Sequence, residues 1–151
     1  MQINTRPADI KDLKDIWLWR NNPLTIKQSK EGSKITLQEH TKWYKECIIN
    51  DSNYIFISED SKKNKLGMTR FDIDKKKSSA IVSINLNPMF RGLGLGKDIL
   101  QFGINAFRKS HKISLIAIIK KNNLASIKCF ERCDFLIDRN DKELLFFRNN
   151  L

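Results

Sequence analysis

Three glycines at alternate positions, Gly92, Gly94 and Gly96, follow Arg91 and precede Lys97 in the stretch Asn85-Leu86-Asn87-Pro88-Met89-Phe90-Arg91-Gly92-Leu93-Gly94-Leu95-Gly96-Lys97. A glycine has no Cβ to keep a ligand off the backbone, and it reaches φ values that branched residues avoid. The N–H groups of Arg91, Gly92, Leu93, Gly94, Leu95 and Gly96 are thereby offered to an anion. Downstream, Leu95, Ile99, Phe102, Ala106 and Phe107 fall at helical spacing and predict one stripe against a core. The loop is then also a helix N-terminus, where unpaired N–H groups and the positive end of the dipole favour phosphate. Spacing narrows which phosphate. A Walker loop needs Gly where Arg91 stands and Ser or Thr where Asp98 stands, and the dinucleotide fingerprint needs Gly where Lys97 or Ile99 stands.

The elements that must position this loop follow from apolar periodicity. Ile3 to Arg6 reads as a strand ended by Pro7. Asp9 caps a helix carrying Ile10, Leu13, Ile16 and Trp17, which ends near Asn22-Pro23 because proline biases the preceding residue away from helix. Trp17 shares the Leu13 stripe and is expected in the core. Residues 24–35 show no clear period and read as a loop or short irregular helix. Thr36 and Glu39 form a capping box for a helix bearing Leu37, His40, Trp43, Tyr44, Cys47 and Ile48. Residues 54–58, 66–73 and 80–86 predict three antiparallel strands that lead into the glycine loop. Residues 113–119 form a continuous apolar run, the pattern of a central strand covered on both faces. A helix over residues 123–133 and a final strand pair around residues 139–142 complete the order β, two helices, β-β-β, α, β, α, β-β.

At 151 residues the chain suits a single domain, residues 1–151, able to bury a real core. Lys and Arg number 28 against 17 Asp and Glu, and the net charge of +11 favours anionic partners. No apolar run approaches membrane-spanning length and the N-terminal residues lack a signal-peptide core, so a cytoplasmic protein without membrane contact is expected. Cys47, Cys129 and Cys133 lack paired-ligand spacing and neither histidine lies near them, so free thiols and no metal are expected. The lysines are dispersed over turns such as residues 75–77, and no recognisable nucleic-acid motif accompanies them.

The segment Arg91-x-x-Gly94-x-Gly96 after a strand resembles the pyrophosphate loop of the GNAT acetyltransferases, and the element order is similar to theirs. A second segment, Asn123-x-x-Ser126-x-x-x-Phe130 with Asp134-Phe135, is similar to the family's Asn-x-x-Ala/Ser-x-x-x-Tyr/Phe and Gly-Phe pattern. The resemblance implies an α/β (α+β) GNAT fold, one mixed, largely antiparallel twisted sheet of about seven strands flanked by about four helices. It implies acetyl-CoA as acetyl donor and direct transfer of acetyl to a primary amine. Arg91, Gly92, Leu93, Gly94, Leu95, Gly96 and Lys97 are then expected at the pyrophosphate, Leu86 at the pantetheine arm and thioester oxygen, and Asn123, Ser126 and Phe130 along the coenzyme. Phe130 replaces the tyrosine that in many members protonates the leaving thiolate, so Ser126 or water is expected to supply that proton. A water chain to Ser83 or Asn85, or His40, is expected to take the proton of the amine. Asp134 replaces the usual glycine and suggests a different turn out of the helix.

The front half, with Trp19-Arg20-Asn21-x-Pro23, Ile35-Thr36-x-x-x-His40-x-x-Trp43 and Gly67-x-x-Arg70-Phe71, resembles the subgroup that acetylates the 4-amino group of UDP-linked amino sugars in pseudaminic acid biosynthesis. That implies a nucleotide-sugar acceptor beside Arg20, His40 and Arg70, with Trp43 as a wall, since guanidiniums pair well with diphosphate. A protein N-terminal acetyltransferase is the nearest alternative, and a basic nucleic-acid-binding module the alternative of another class. The oligomeric state, a homodimer included, stays open.

Overall fold

Alternating apolar residues give the sheet two buried faces, and each takes its own layer of helices. The computed structural model describes residues 1–150. Its strands are β1 (Ile3–Pro7), β2 (Asn53–Asp60), β3 (Lys65–Asp74), β4 (Ser79–Leu86), β5 (Ser114–Lys120), β6 (Leu136–Asn140) and β7 (Leu144–Asn149). They form one seven-stranded sheet in the order β1-β2-β3-β4-β5-β7-β6, antiparallel except for the β4–β5 pair. The helices are α1 (Leu13–Arg20), α2 (Pro23–Gln28), α3 (Leu37–Ile49), α4 (Gly96–Arg108) and α5 (Leu124–Glu131).

Phe56, Phe71, Val82 and Phe147 pack on one sheet face against Leu100, Ile104 and Phe107 of α4 and Phe130 of α5. On the other face Ile55, Ile57 and Met68 meet Ile16 and Trp19 of α1 and Tyr44 and Cys47 of α3. The mixed sheet and the capped helices agree with the sequence reading. Thr36 and Glu39 make the capping box of α3, and Asp9 caps the first helical turn together with Asp12.

Four expectations of the fold change. The reading of residues 24–35 as a loop or short irregular helix is resolved by the short helix α2, because Asn22 caps it by accepting the Leu24 N–H and Pro23 occupies its first turn. A proline that stops one helix is well suited to start the next, its missing N–H being one that a first turn leaves unpaired anyway. The core tryptophan is Trp19, 4% exposed, whereas Trp17 is half-buried and donates its indole N–H to the Ile35 carbonyl at 2.8 Å. Along β5 only Leu115, Ala117 and Ile119 are buried, the two isoleucines between them being half-buried, so the strand is sealed on one face. The buried stripe of α4 is Ile99, Leu100, Gly103, Ile104 and Phe107, with Phe102 at its exposed edge. Gly103 sets that rotation: a Cβ there would overlap the Thr69 hydroxyl, so the helix lies directly on β3.

The exit from α5 is the left-handed turn that glycine usually makes, not a different one. Asp134 has φ +64°, the Phe135 N–H bonds the Phe130 carbonyl at 3.1 Å and the Asp134 N–H bonds the Glu131 carbonyl at 3.1 Å. This is the Schellman closure, and its apolar contact is Phe130 on Phe135, ring centroids 5.0 Å apart. Asp134→Gly is expected to raise stability by about 0.5–1 kcal/mol, the left-handed penalty less the extra backbone entropy of glycine. A urea titration checks it, and an unchanged or lower midpoint would contradict the assignment.

Candidate functional site

β4 and β5 are the one parallel pair, and they separate early. Their pairing covers Ser79–Ser114, Ala80–Leu115 and Ile81–Ile116, while β4 runs on to Leu86 and β5 to Lys120. Beyond Ile81 the backbone groups of β4 that face away from β3 have no strand partner, and a wedge opens between the two arms. The glycine loop closes the outer end of the β4 arm and leads into α4.

In that loop Gly92 and Gly94 have φ +77° and +74°, a region that L side chains avoid, and a Cβ on either would meet nothing within 4 Å. The positions are open space, as a ligand cradle requires. Among the described residues no acceptor takes the amides of residues 92–98, and α4 has no side-chain cap. The amides of Gly92, Leu93, Gly94, Leu95, Gly96 and Lys97 are thus left unclaimed at an uncapped helix N-terminus, with the Lys97 side chain exposed in the first turn. Gly96 is where the loop is backed by protein, since a Cβ there would lie 3.3 Å from Cys129 Sγ and 4.0 Å from a Leu86 methyl.

Arg91 belongs to the loop but its guanidinium turns back. It donates to Asn22 Oδ1 at 2.9 Å, to Thr25 Oγ1, to Asn85 Oδ1 at 3.3 Å and to the Leu86 carbonyl at 3.4 Å. All four acceptors are neutral, and burial lowers the Arg91 pKa from its ordinary value. The Arg91 N–H, expected on the diphosphate, instead donates to the Pro88 carbonyl at 3.4 Å, and the side chain ties α2 to the end of β4. Asn85 is held in the same cluster, since Thr25 Oγ1 donates to it at 3.3 Å.

On α5, Asn123 accepts the Ser126 N–H at 3.2 Å and so caps the helix. Ser126 is half-buried at its first turn. Phe130 is 2% exposed and packed on Phe135, so it has little surface to give a ligand. Cys129 and Cys133 are free thiols, pushed up to about 12 and about 11 by burial, and remain protonated at neutral pH. No group of three or more His, Cys, Asp or Glu gathers as a metal site among the described residues, and no helix there is long and apolar enough to cross a membrane.

The acceptor-side residues do come together. Trp43 lies 5.5 Å from His40 by ring centroids, and the Arg70 guanidinium sits 5.0 Å over the Trp43 ring. Arg70 stands opposite Ser83 in the β3–β4 register, and Ser83 is exposed. Arg70 is tied to Asp72 at 2.7 Å, and Asp72 also accepts from Asn53 at 2.6 Å. Arg20 Nη1 is sealed from solvent without a partner. His40 departs from expectation: it is 2% exposed and its Nε2 bonds the Leu13 carbonyl at 2.9 Å. Burial first, and the Arg20 charge after it, hold its pKa below the ordinary value, so a neutral ring pins α3 to α1 and offers no basic face to an acceptor.

Sequence reasoning missed Asn22, Thr25 and Lys120. Lys120, the last residue of β5, donates to the Lys27 carbonyl of α2 at 3.0 Å. The Asn22-Pro23 pair was a readable cap signal; the partners of Arg91 and Lys120 had none, because they are sixty to ninety positions away in the chain.

Comparisons with known proteins fit this geometry. The family model of the acetyltransferase (GNAT) domain matches residues 2–136. No curated protein matches the chain by sequence. Among solved structures, a spermidine N-acetyltransferase from Vibrio cholerae in complex with CoA and spermine superposes with TM-score 0.83 at 18% identity, over 97% of this chain and 93% of that one. A domain from Methanocaldococcus jannaschii gives TM-score 0.83 at 21% identity, over 99% of both chains. An aminoglycoside acetyltransferase in complex with coenzyme A gives TM-score 0.83 at 14% identity, over 99% of this chain and 95% of that one. At these identities the likeness is one of fold.

Proposed function

Since the chain belongs to the GNAT acetyltransferase family and is an acetyl-CoA-dependent N-acetyltransferase, we propose that its acceptor is the 4-amino group of a UDP-linked amino sugar. The observation that carries the coenzyme site is the run of unclaimed amides over residues 92–98, at a helix N-terminus and over open space. Those amides hold the diphosphate, Lys97 adds charge, and the free backbone groups of β4 near Leu86 hold the pantetheine arm and the thioester oxygen. Asn123, Ser126 and the wall of Leu86 and Cys129 bound the same groove.

Transfer joins the amine nitrogen to the acetyl carbon and breaks the carbon–sulfur bond; the nitrogen gives up a proton and the thiolate takes one. A backbone donor aimed at the carbonyl oxygen contributes about 3–4 kcal/mol as charge develops there. With His40 sealed and Phe130 lacking a hydroxyl, proton movement falls to water held at Ser83, with Asn85 beside it, and to Ser126 near the thiolate.

The acceptor reading rests on Arg20, Trp43 and Arg70. Arg20 is half-buried and forms no ion pair among the described residues, a charge that a diphosphate beside it compensates. The Asp72 carboxylate is already paired with Arg70, so it is not free to hold the ammonium of a polyamine. The test is thiol release from acetyl-CoA across UDP-4-amino sugars, peptides with free N-termini, and polyamines. Turnover is expected with the sugar nucleotides, and Arg20→Ala is expected to raise their KM about tenfold or more while coenzyme affinity stays unchanged, the loss of a hydrogen bond from a charged group. Turnover confined to peptides or polyamines would end the acceptor reading and leave the coenzyme site standing.

A further inference from the structure

Helix α2 has no fully buried residue, and Thr25, Ile26 and Gln28 are half-buried, so packing alone holds it weakly. Polar ties add to that hold, and they reach it from both arms of the wedge. On the β4 side, Arg91 grips Asn22 and Thr25, and Thr25 grips Asn85. On the β5 side, Lys120 grips the Lys27 carbonyl at 3.0 Å. Asn85 and Lys120 each lie four residues beyond the last β4–β5 pair, Ile81 with Ile116, so α2 crosses the mouth of the wedge from one arm to the other at matching height. The tie on the β4 side originates in the glycine loop itself, immediately before the amides of residues 92–98.

From this placement we propose that α2 is a strap over the thioester end of the wedge and that Arg91 is the positioning residue that couples it to coenzyme binding. The proposal rests on the coenzyme reading above. A diphosphate seated on the loop amides fixes the backbone from which Arg91 projects, and Arg91, whose fork finds only neutral acceptors on α2 and β4, passes that order to the strap. The free protein, whose strap has only half-buried side chains, opens it more readily than the coenzyme-bound protein, which holds it shut and forms the acceptor side of the site after the donor has entered.

Hydrogen exchange with CoA as the ligand tests this, with CoA affinity measured alongside by calorimetry. Saturating CoA is expected to slow exchange of the α2 amides at least about fivefold in the wild type, the lower range of allosteric coupling. Thr25→Val removes the hydroxyl between Arg91 and Asn85 from outside the loop. It is expected to bind CoA within about twofold of wild type yet lose part of the CoA-dependent slowing, the Arg91–Asn22 bond being retained. Arg91→Lys, which keeps the charge without the fork, is the second variant and is expected to lose most of it. A purely structural role for the tie would speed α2 exchange equally with and without CoA. That result, persistence of the slowing in both variants, or CoA binding to the wild type with no change in α2 overturns the proposal. Failure of CoA to bind the wild type overturns the coenzyme reading and this inference with it.

Discussion

Gly94→Glu is expected to abolish the rise in melting temperature expected of the wild-type protein with acetyl-CoA. A ligand present at a hundred times its dissociation constant stabilises the folded state by about 2.7 kcal/mol, which in a domain of this size is a shift of about 5–10 °C. The substitution removes it by two routes. Gly94 has φ +74°, which an L side chain adopts only under strain, so the substitution disturbs the loop that carries the unclaimed amides. The new carboxylate then stands in the open space proposed for the diphosphate, at a helix end that its charge itself neutralises. Gly94→Ala separates the routes, since it brings the strain without the charge and is expected to retain a reduced shift. Differential scanning fluorimetry with and without acetyl-CoA reads both variants. A wild-type-sized shift in Gly94→Glu would place the coenzyme elsewhere.

How far the site could be read in advance depended on the range of each signal. The glycine loop was legible because its requirement is local: alternate glycines after a strand and before an amphipathic helix specify exposed amides wherever they occur. The Asp9 cap and the Thr36–Glu39 capping box were legible for the same reason, side chains within a few residues of the amides they bond. Residue types could not say where side chains of the second layer point. Arg91 has the right charge for phosphate, yet its fork is taken by Asn22 and Thr25, more than sixty positions earlier. His40 shares a helix face with Trp43 as the spacing predicts, but the carbonyl that claims it belongs to α1. Gly103 sits inside a helix, where glycine is usually only a weakness, and its reason becomes visible once Thr69 is seen beneath it.

Asp12→Asn lowers the unfolding free energy at pH 7 by about 3 kcal/mol, the largest loss expected from one polar side chain on the acceptor-side layer. Asp12 is fully buried and accepts from Arg6 at 2.8 and 2.9 Å, from Lys65 at 2.8 Å and from the Asp9 amide at 2.9 Å. One carboxylate thus joins β1, β3 and the turn that starts α1. Burial by itself would raise its pKa, but the bonds from Arg6, Lys65 and the Asp9 amide outweigh it and hold the carboxyl at about 2, below the ordinary 3.8. The sign follows: the folded state binds that proton more weakly, so the stabilisation, about 2 kcal/mol, is present in full above pH 3.8 and is lost as pH falls through about 2. Breaking a buried pair commonly costs about 3–5 kcal/mol. The lower end applies here because Arg6 retains Glu59 at 2.8 Å and Lys65 retains Asp15 at 2.8 Å. Urea titrations at neutral pH and between pH 4 and 2 check both statements. The variant is expected to be weaker at neutral pH and to lose less on acidification than the wild type. A neutral-pH loss under about 1 kcal/mol would show that this carboxylate is a replaceable packing group rather than the joint that orients α1, and with it Trp19 and Arg20, on the sheet.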